Sequence, residues 1–324
     1  MAVPAAGPSH VPVMRARIVE LLTPALQHPG AVYLDCTLGL AGHATAVLEA
    51  CPRARLIGID RDPAALALAG RALERFGDRV RLYQAIYHEL DEVLDEDGTP
   101  AVDAICMDLG LSSLQIDTTE RGFAYASDAP LDMRMDGSQE LTAAVLLQTA
   151  GAGELARILR EFGDEKFADR IARRIVAERE REPIETSARL VEIITDAIPA
   201  AARHARTGHP AKRTFQALRI AVNGELDSLR AALPAALDAL APGGRLAVLS
   251  YHSGEDRLVK RAFADAAADQ VPPGLPAVPD ALRARFRLLT RGAERPDPAE
   301  TETNPRAAAA RLRAVARHPQ EVAR

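Results

Sequence analysis

Residues 101–135 read AVDAICMDLGLSSLQIDTTERGFAYASDAPLDMRM, and the fold turns on them. Ala101, Val102, Ala104, Ile105, Cys106 and Met107 form an apolar run, broken by Asp103 and closed by Asp108. A run this short and apolar fits a central strand covered on both faces. The DLGLSS loop follows at the strand's carboxyl end, where ligands bind in open α/β sheets. Beyond it periodicity disappears while charge persists in Asp117, Glu120, Arg121, Asp128, Asp132 and Arg134. Long irregular segments inside a compact domain are functional or disordered. Phe123, Tyr125 and the LDMRM pentad argue against disorder. The stretch reads as the seam between a ligand-binding sheet and an insert.

Upstream, strands and helices alternate. A helix over 13–26 precedes a strand from Ala31 ending in the Gly39 turn, then a helix through Ala44–Ala50. Arg55–Asp60 is a second strand and Pro63–Phe76 a second helix, with Pro63 suited to its first turn. Val80–Tyr87 is a third strand, and 89–94 a short helix. Such alternation predicts a parallel sheet wrapped by helices. Downstream, 142–182 reads as charged helix and Thr186–Ile198 as another, with Thr186 or Ser187 as cap. A helix from Thr214 is expected to run through Asn223 to Leu240 and to kink near Pro234. The sheet resumes after the Pro242-Gly-Gly244 turn with a strand over 245–252. A helix over 253–263 follows, then a Pro-rich loop over 271–280. Segments 285–290 and 312–317 close the sheet as a strand pair. The expected domains are 1–116 and 223–324, two parts of one α/β domain, and 117–222, an all-helical insert that would recognise substrate.

The chain has 324 residues, enough for two domains, and its 48% hydrophobic and 26% charged composition is that of a globular protein. Net charge −5 excludes a generally basic nucleic-acid coat, so any RNA contact must be a local patch. Cys36, Cys51 and Cys106 form no CxxC pair and read as buried small hydrophobes of a reducing, cytoplasmic compartment. No apolar run is long enough to span a bilayer, the N-terminus does not read as a signal peptide, and no Cys/His metal cluster stands out. Oligomeric state is not set by the sequence, a homodimer being one option.

The chemistry gathers at strand ends. Asp35-Cys-Thr-Leu-Gly39-Leu-Ala-Gly42-His43 lies at the first strand–helix turn, where glycines let a ligand approach backbone N–H groups. It is not GxGxxG, which disfavours a nicotinamide enzyme. Asp60, closing the second strand, is placed to accept from both hydroxyls of a ribose. Together they favour an adenosine-bearing ligand. An acid before the first turn suits a cationic sulfonium better than a pyrophosphate, and the pattern resembles class I (Rossmann-like) S-adenosylmethionine methyltransferases.

Further motifs sharpen the resemblance. His10-Val-Pro-Val13, Asp108-Leu-Gly-Leu-Ser-Ser, Arg121-Gly-Phe, Leu131-Asp-Met-Arg-Met135, Arg213-Thr-Phe-Gln-Ala-Leu-Arg219, Ala241-Pro-Gly-Gly-Arg245, Ser250-Tyr-His-Ser-Gly-Glu-Asp-Arg257 and Asn304-Pro-Arg306 follow in that order. Across about residues 10–317 the chain resembles the MraW/RsmH family of 16S rRNA (cytosine-N4)-methyltransferases. The resemblance implies a cofactor site of Asp35, Ala41, Gly42, His43, Asp60, Tyr87, Asp108 and Gln115. It also implies S-adenosylmethionine as cofactor and, as substrate, a cytidine of 16S rRNA near the decoding centre of the small ribosomal subunit. Three positions depart from the family pattern: Ala41 for Gly, Tyr87 for Phe, and Gly254 for Leu. Asp108 is the candidate proton acceptor, or else holds the methionine amino group of the cofactor. Arg134, Lys212, Arg213 and Arg219 are phosphate candidates. Phe123, Tyr125 and Phe215 could stack a base or simply pack, and His252 and Ser253 face the ligand edge. A methyltransferase of another RNA or a protein, or a noncatalytic cofactor-binding module, are the alternatives.

Overall fold

The computed structural model describes residues 11–204, 208–269, 279 and 282–319. In chain order the elements begin with α1 Arg15–Leu22, β1 Val32–Asp35, α2 Gly42–Ala50, β2 Arg55–Asp60 and α3 Pro63–Leu73. They continue with β3 Val80–Gln84, α4 Leu90–Asp97, β4 Val102–Asp108 and α5 Ser113–Asp117. Then come α6 Ala143–Thr149, α7 Ala152–Gly163, α8 Ala168–Arg179, α9 Ser187–Ala197, α10 Ala200–His204 and α11 Lys212–Asn223. The last are α12 Glu225–Ala239, β5 Leu240–Ser250, α13 Ser253–Ala266, β6 Phe286–Leu288, α14 Pro298–Thr303 and β7 Arg311–Arg317. Two compact units result: Met1–Gly110 with Asp227–Arg324, and Leu111–Leu226.

The first unit is an α/β, Rossmann-like sheet of order β3-β2-β1-β4-β5-β7-β6. Strands β3, β2, β1, β4 and β5 pair parallel, and β7 runs antiparallel between β5 and β6. Chain order reverses between β1 and β4, so the carboxyl ends of those two strands flank the switch point. Side chains alternate across the sheet. Tyr33, Leu56, Ala104, Cys106 and Leu249 join one core with α1, α2 and α3. Leu34, Ile57, Ile105, Met107 and Val248 join the other with α4, α12 and α13. Burial on both faces is why β4 reads as a continuous apolar run. Ile105 and Met107 are fully buried, each worth roughly 1.5–3 kcal/mol. The three cysteines are free and buried in these cores.

Local chemistry sets the helix starts. Asp62 caps α3 by accepting from the Ala64 N–H, with Pro63 in the first turn as expected. Thr186 caps α9 through the Arg189 N–H. The structure also corrects boundaries. Strand β3 ends at Gln84, short of Tyr87. The charged run 142–182 divides into α6, α7 and α8, with Asp164 ending α7 at φ 49°. The helix expected from Thr214 to Leu240 breaks at Gly224, whose φ of +59° ends α11, while Pro234 lies inside α12 without ending it. Strand β5 starts at Leu240, because the Pro242-Gly-Gly244 turn is a bulge in the β4 pairing, with Gly243 at φ +83°. Asn304 caps the end of α14, and Pro305 and Arg306 open a 3₁₀ turn over Pro305–Ala309. His10, Arg206 and most of the Pro-rich loop lie outside the described residues.

The second unit contains helices and no named strand among its described residues, with an isolated bridge between Pro130 and Thr186. Its irregular segment is pinned, not loose. Leu131, Met133 and Met135 are buried in the helical core. Asn223 accepts from the Met135 N–H (2.8 Å) and donates to the Met133 carbonyl (2.7 Å). The Arg121 guanidinium donates to the Met135 carbonyl (2.9 Å). A Cβ on Gly122 would lie 2.1 Å from the Pro130 carbonyl oxygen, so only glycine fits. LDMRM is therefore a hydrogen-bonded plug against α11.

Candidate active site

Three strand ends in the first unit each carry an acid. Asp35 closes β1 almost fully buried. Its Oδ2 accepts from the Tyr33 hydroxyl (2.8 Å) and its Oδ1 from the Thr37 N–H (3.2 Å). Burial pushes its pKa up to about 6, although His43, Tyr33 and the Thr37 N–H each favour the charged form. Asp60 closes β2, with Oδ2 accepting from the Gly39 N–H (2.7 Å) and Oδ1 from the Asp62 N–H (2.9 Å). Burial raises it too, and the two N–H donors moderate the rise. Those donors also fix the plane of the carboxylate at the turn after β1.

Asp108 closes β4, half-buried. Its N–H donates to Thr37 Oγ1 (2.6 Å), which ties β4 to the turn after β1. Its Oδ1 accepts from the Tyr251 hydroxyl (2.7 Å), and its Oδ2 lies 3.6 Å from His43 Nδ1. The other ring nitrogen of His43, Nε2, is 2.9 Å from the Val13 carbonyl oxygen. A carbonyl only accepts, so Nε2 carries the hydrogen. The ring is buried at the start of α2.

The turn before α2 is shaped by two small residues for different reasons. Ala41 adopts φ 62°, ψ 27°, a left-handed conformation that costs a non-glycine residue about 1 kcal/mol. Gly42 is required by crowding, since a Cβ there would lie 2.3 Å from Pro12 Cγ. Tyr87 opens a 3₁₀ turn after β3 and packs on the second core of its unit.

His252 and Ser253 begin α13. The His252 ring caps the helix, Nδ1 accepting from the N–H groups of Gly254 (3.2 Å) and Glu255 (3.4 Å). Glu255 returns the bond: its Oε2 accepts from the Tyr251 (2.7 Å) and His252 (3.2 Å) N–H groups. This reciprocal box holds a helix start where Gly254 stands for leucine.

In the second unit Gln115 is buried and closes a capping box with Ser112, accepting from its N–H (3.0 Å). Arg134 grips Asp132 through Nε and Nη2 (2.7 Å each) and donates through Nη1 to the Gly137 and Gln139 carbonyls. Arg219 makes a two-pronged bond to Glu225 (2.9 Å each). Both guanidinium groups are thus engaged within the unit. Lys212 and Arg213 are exposed at the start of α11, Arg213 donating to the Asp164 carbonyl (2.7 Å). Phe215 is buried in the helical core, edge-on to Tyr125 at 5.9 Å, and Tyr125 stacks on His209 at 4.7 Å.

The structure brings Asp35, His43 and Asp108 together and sets Asp60 on the neighbouring strand end. Tyr33, Thr37, Tyr251 and Glu255 belong to the same network, and sequence reading had not assigned them. Tyr251 and Glu255 stood inside a quoted motif, but their partner is visible only once β4 and β5 pair.

Comparison with known proteins agrees with this plan. The chain is 60% identical to the ribosomal RNA small subunit methyltransferase H of Cutibacterium acnes, over 95% of this chain and 91% of that one. It is 58% identical to the protein of that name from Streptomyces avermitilis, covering 95% and 96%. For the one from a Nocardioides species the identity is 59%, covering 96% and 97%. The family model of the MraW methylases matches residues 8–318. The chain belongs to the MraW methylase family.

Proposed function

We propose that this protein transfers a methyl group from S-adenosylmethionine to N4 of a cytidine in 16S rRNA, near the decoding centre of the small ribosomal subunit, in the cytoplasm. The observation that carries the reading is the trio of acids at the ends of β1, β2 and β4 beside the switch point, in a chain whose relatives are named ribosomal RNA small subunit methyltransferases. The net charge of −5 makes a preassembled subunit a better substrate than free RNA, because the particle supplies shape and the protein needs only a local basic contact.

The donor set fits the cofactor. Carboxylates only accept hydrogen bonds and attract cations, and the cofactor carries a ribose diol, an ammonium and a sulfonium. When bound, it supplies an electrophilic methyl group. Asp60, its plane fixed by two backbone donors, would hold the ribose hydroxyls. Asp35 would favour the positive charge, and Tyr87 would pack on the adenine. The chain's contribution to rate is alignment of amine, methyl and sulfur for in-line displacement. Cytosine N4 is a weak nucleophile whose lone pair is delocalised into the ring, so an acceptor that orients the amine and takes its proton adds to this. Asp108 is that acceptor. Lys212 and Arg213, exposed on α11, would contact phosphates, and such contacts weaken steeply with salt.

The test is transfer of labelled methyl from S-adenosylmethionine to 30S subunits lacking the modification, followed by nucleoside analysis. Wild-type protein yields N4-methylcytidine, and Asp108→Ala yields at least about 100-fold less. Label in another nucleoside, or none despite cofactor binding, overturns the reading.

A further inference from the structure

The sequence left Asp108 two roles, acid–base partner of the acceptor amine or anchor of the cofactor's amino group. The contacts behind Asp108 bear on the first of these. Tyr251 stands two residues beyond the β5 position paired with Asp108, since Asp108 is in register with Leu249. Its hydroxyl donates to Asp108 Oδ1 at 2.7 Å. Its ring packs on the core and lies against the turn after Asp108, where a Cβ on Gly110 would be 3.4 Å from Tyr251 Cδ2. Its backbone N–H is held at 2.7 Å by Glu255, itself almost fully buried and locked in the α13 capping box. Rigid packing, a fixed backbone and a short bond therefore all converge on one carboxylate oxygen.

We infer that Tyr251 is a positioning residue for the transfer. It holds Oδ1 of Asp108 so that Oδ2, beside His43 Nδ1, faces the acceptor amine as its proton acceptor. The inference rests on the proposed transfer to a cytidine amine. In that step the amine nitrogen uses its lone pair to form the new N–C bond, and the electron pair of the breaking C–S bond stays on sulfur. The nitrogen sheds one proton to Asp108 Oδ2, and the carboxyl returns it to water, because the Asp108 side chain is 27% exposed. An oxygen already fixed by Tyr251 cannot turn away, and reorientation at the moment of reaction is avoided. The titratable groups facing Asp108 include Asp35 on β1, His43 on α2, Cys106 on β4, and Tyr251 with Glu255 beyond β5.

Tyr251→Phe removes one oxygen and keeps the ring. Loss of a hydrogen bond to an ionised group lowers kcat roughly 10- to 100-fold, and loss of a donor to the charged form moves the acidic limb of the kcat–pH profile up by about one unit. Calorimetry gives a dissociation constant for S-adenosylmethionine within about twofold of wild type, which also shows that the site has folded. That combination supports the inference. An unmoved limb overturns it, whether or not kcat falls. A cofactor affinity weakened tenfold with kcat unchanged also overturns it and makes Asp108 the anchor of the cofactor's amino group. Wild-type protein that binds the cofactor but labels no rRNA overturns the functional reading, and the inference with it. An active wild type whose Tyr251→Phe variant is indistinguishable overturns the inference alone.

Discussion

Two buried acids of the first unit, Asp97 and Asp35, are treated oppositely. Asp97, at the end of α4, has a side chain with no exposed surface. Arg55 (2.9 Å), Arg81 (3.0 Å) and the Tyr83 hydroxyl (3.0 Å) donate to it, and Thr99 adds a further bond. Burial works against its charge, but these donors win and hold its pKa down at about 2. Asp35 is as thoroughly buried, yet its donors are a tyrosine hydroxyl and a backbone N–H, and its pKa is pushed up to about 6. Neither Asp35 nor Asp60 has an arginine or lysine hydrogen-bonded to it among the described residues. Where the fold needs a carboxylate for itself, it surrounds it with guanidinium. At the strand ends where the cofactor is proposed to bind, the acids are hydrogen-bonded by a tyrosine hydroxyl and backbone N–H groups instead.

The contrast can be broken at three points. The largest effect is expected at Asp60→Ala, which removes the proposed acceptor for the ribose hydroxyls. Two hydrogen bonds to a charged group correspond to a loss of cofactor affinity of roughly 100-fold or more. Calorimetry would show this beside a lowered unfolding midpoint, because the Gly39 and Asp62 N–H groups lose their acceptor. An unchanged affinity would mean that Asp60 only shapes the Gly39 turn.

Next is Asp97→Asn, which should cost stability and leave cofactor affinity alone. Breaking a buried ion pair costs about 3–5 kcal/mol, but Arg55 and Arg81 are 33% and 59% exposed, so roughly 2 kcal/mol is expected after screening. The pH dependence has a definite sign. A depressed folded pKa contributes stability above the ordinary carboxylate range and loses it as pH falls through about 2. Denaturant titrations at pH 7 and below pH 4 should show the difference between wild type and variant shrinking with acid.

The smallest effect concerns Asp35→Asn, and its sign is reversed. A folded pKa raised to about 6 favours the protonated acid. Its stabilisation is full below pH 4 and is lost as pH rises through about 6. Asn cannot ionise, so at pH 8 the variant without cofactor should be the more stable by about 1 kcal/mol, the buried amide keeping part of the desolvation cost. Cofactor affinity should fall in the variant at pH 8, and in wild type as pH drops below about 6. A wild type whose affinity is flat between pH 5 and 8 would remove Asp35 from the site.

What was legible in the sequence was what is local. Asp35, Asp60 and Asp108 each end an apolar run, and Asp35 and Asp108 lead into glycine-bearing turns while Asp60 leads into Arg61-Asp62-Pro63, so strand, direction and acid come from local sequence. The two-faced burial of β4 was equally visible, because alternation between two cores leaves Ala104, Ile105, Cys106 and Met107 all apolar. The partners were not legible. Tyr251 and Asp108 are 143 residues apart and meet only because β5 lies beside β4. Arg134 and Arg219 show the same: Asp132, two residues before the first, and Glu225, six beyond the second, read as separate charges in the sequence and are brought onto the guanidinium groups only by the fold. The helix broken at Gly224 shows the same limit: apolar periodicity continues across it, and the break is made by one left-handed residue.

The position of β7 carries a consequence for synthesis. It is the last strand in chain order, yet it lies inside the sheet, between β5 and β6. As the chain emerges, residues 111–226 are contiguous and can compact as soon as they are out, whereas the sheet stays open until residues 311–317 arrive to pair with β5 and β6. Until then β5 presents an unpaired, apolar edge, the kind that invites wrong partners. The nascent protein thus depends on residues 311–317 to close this core, and a premature stop just before Arg311 would leave the helical unit complete and the sheet unfinished.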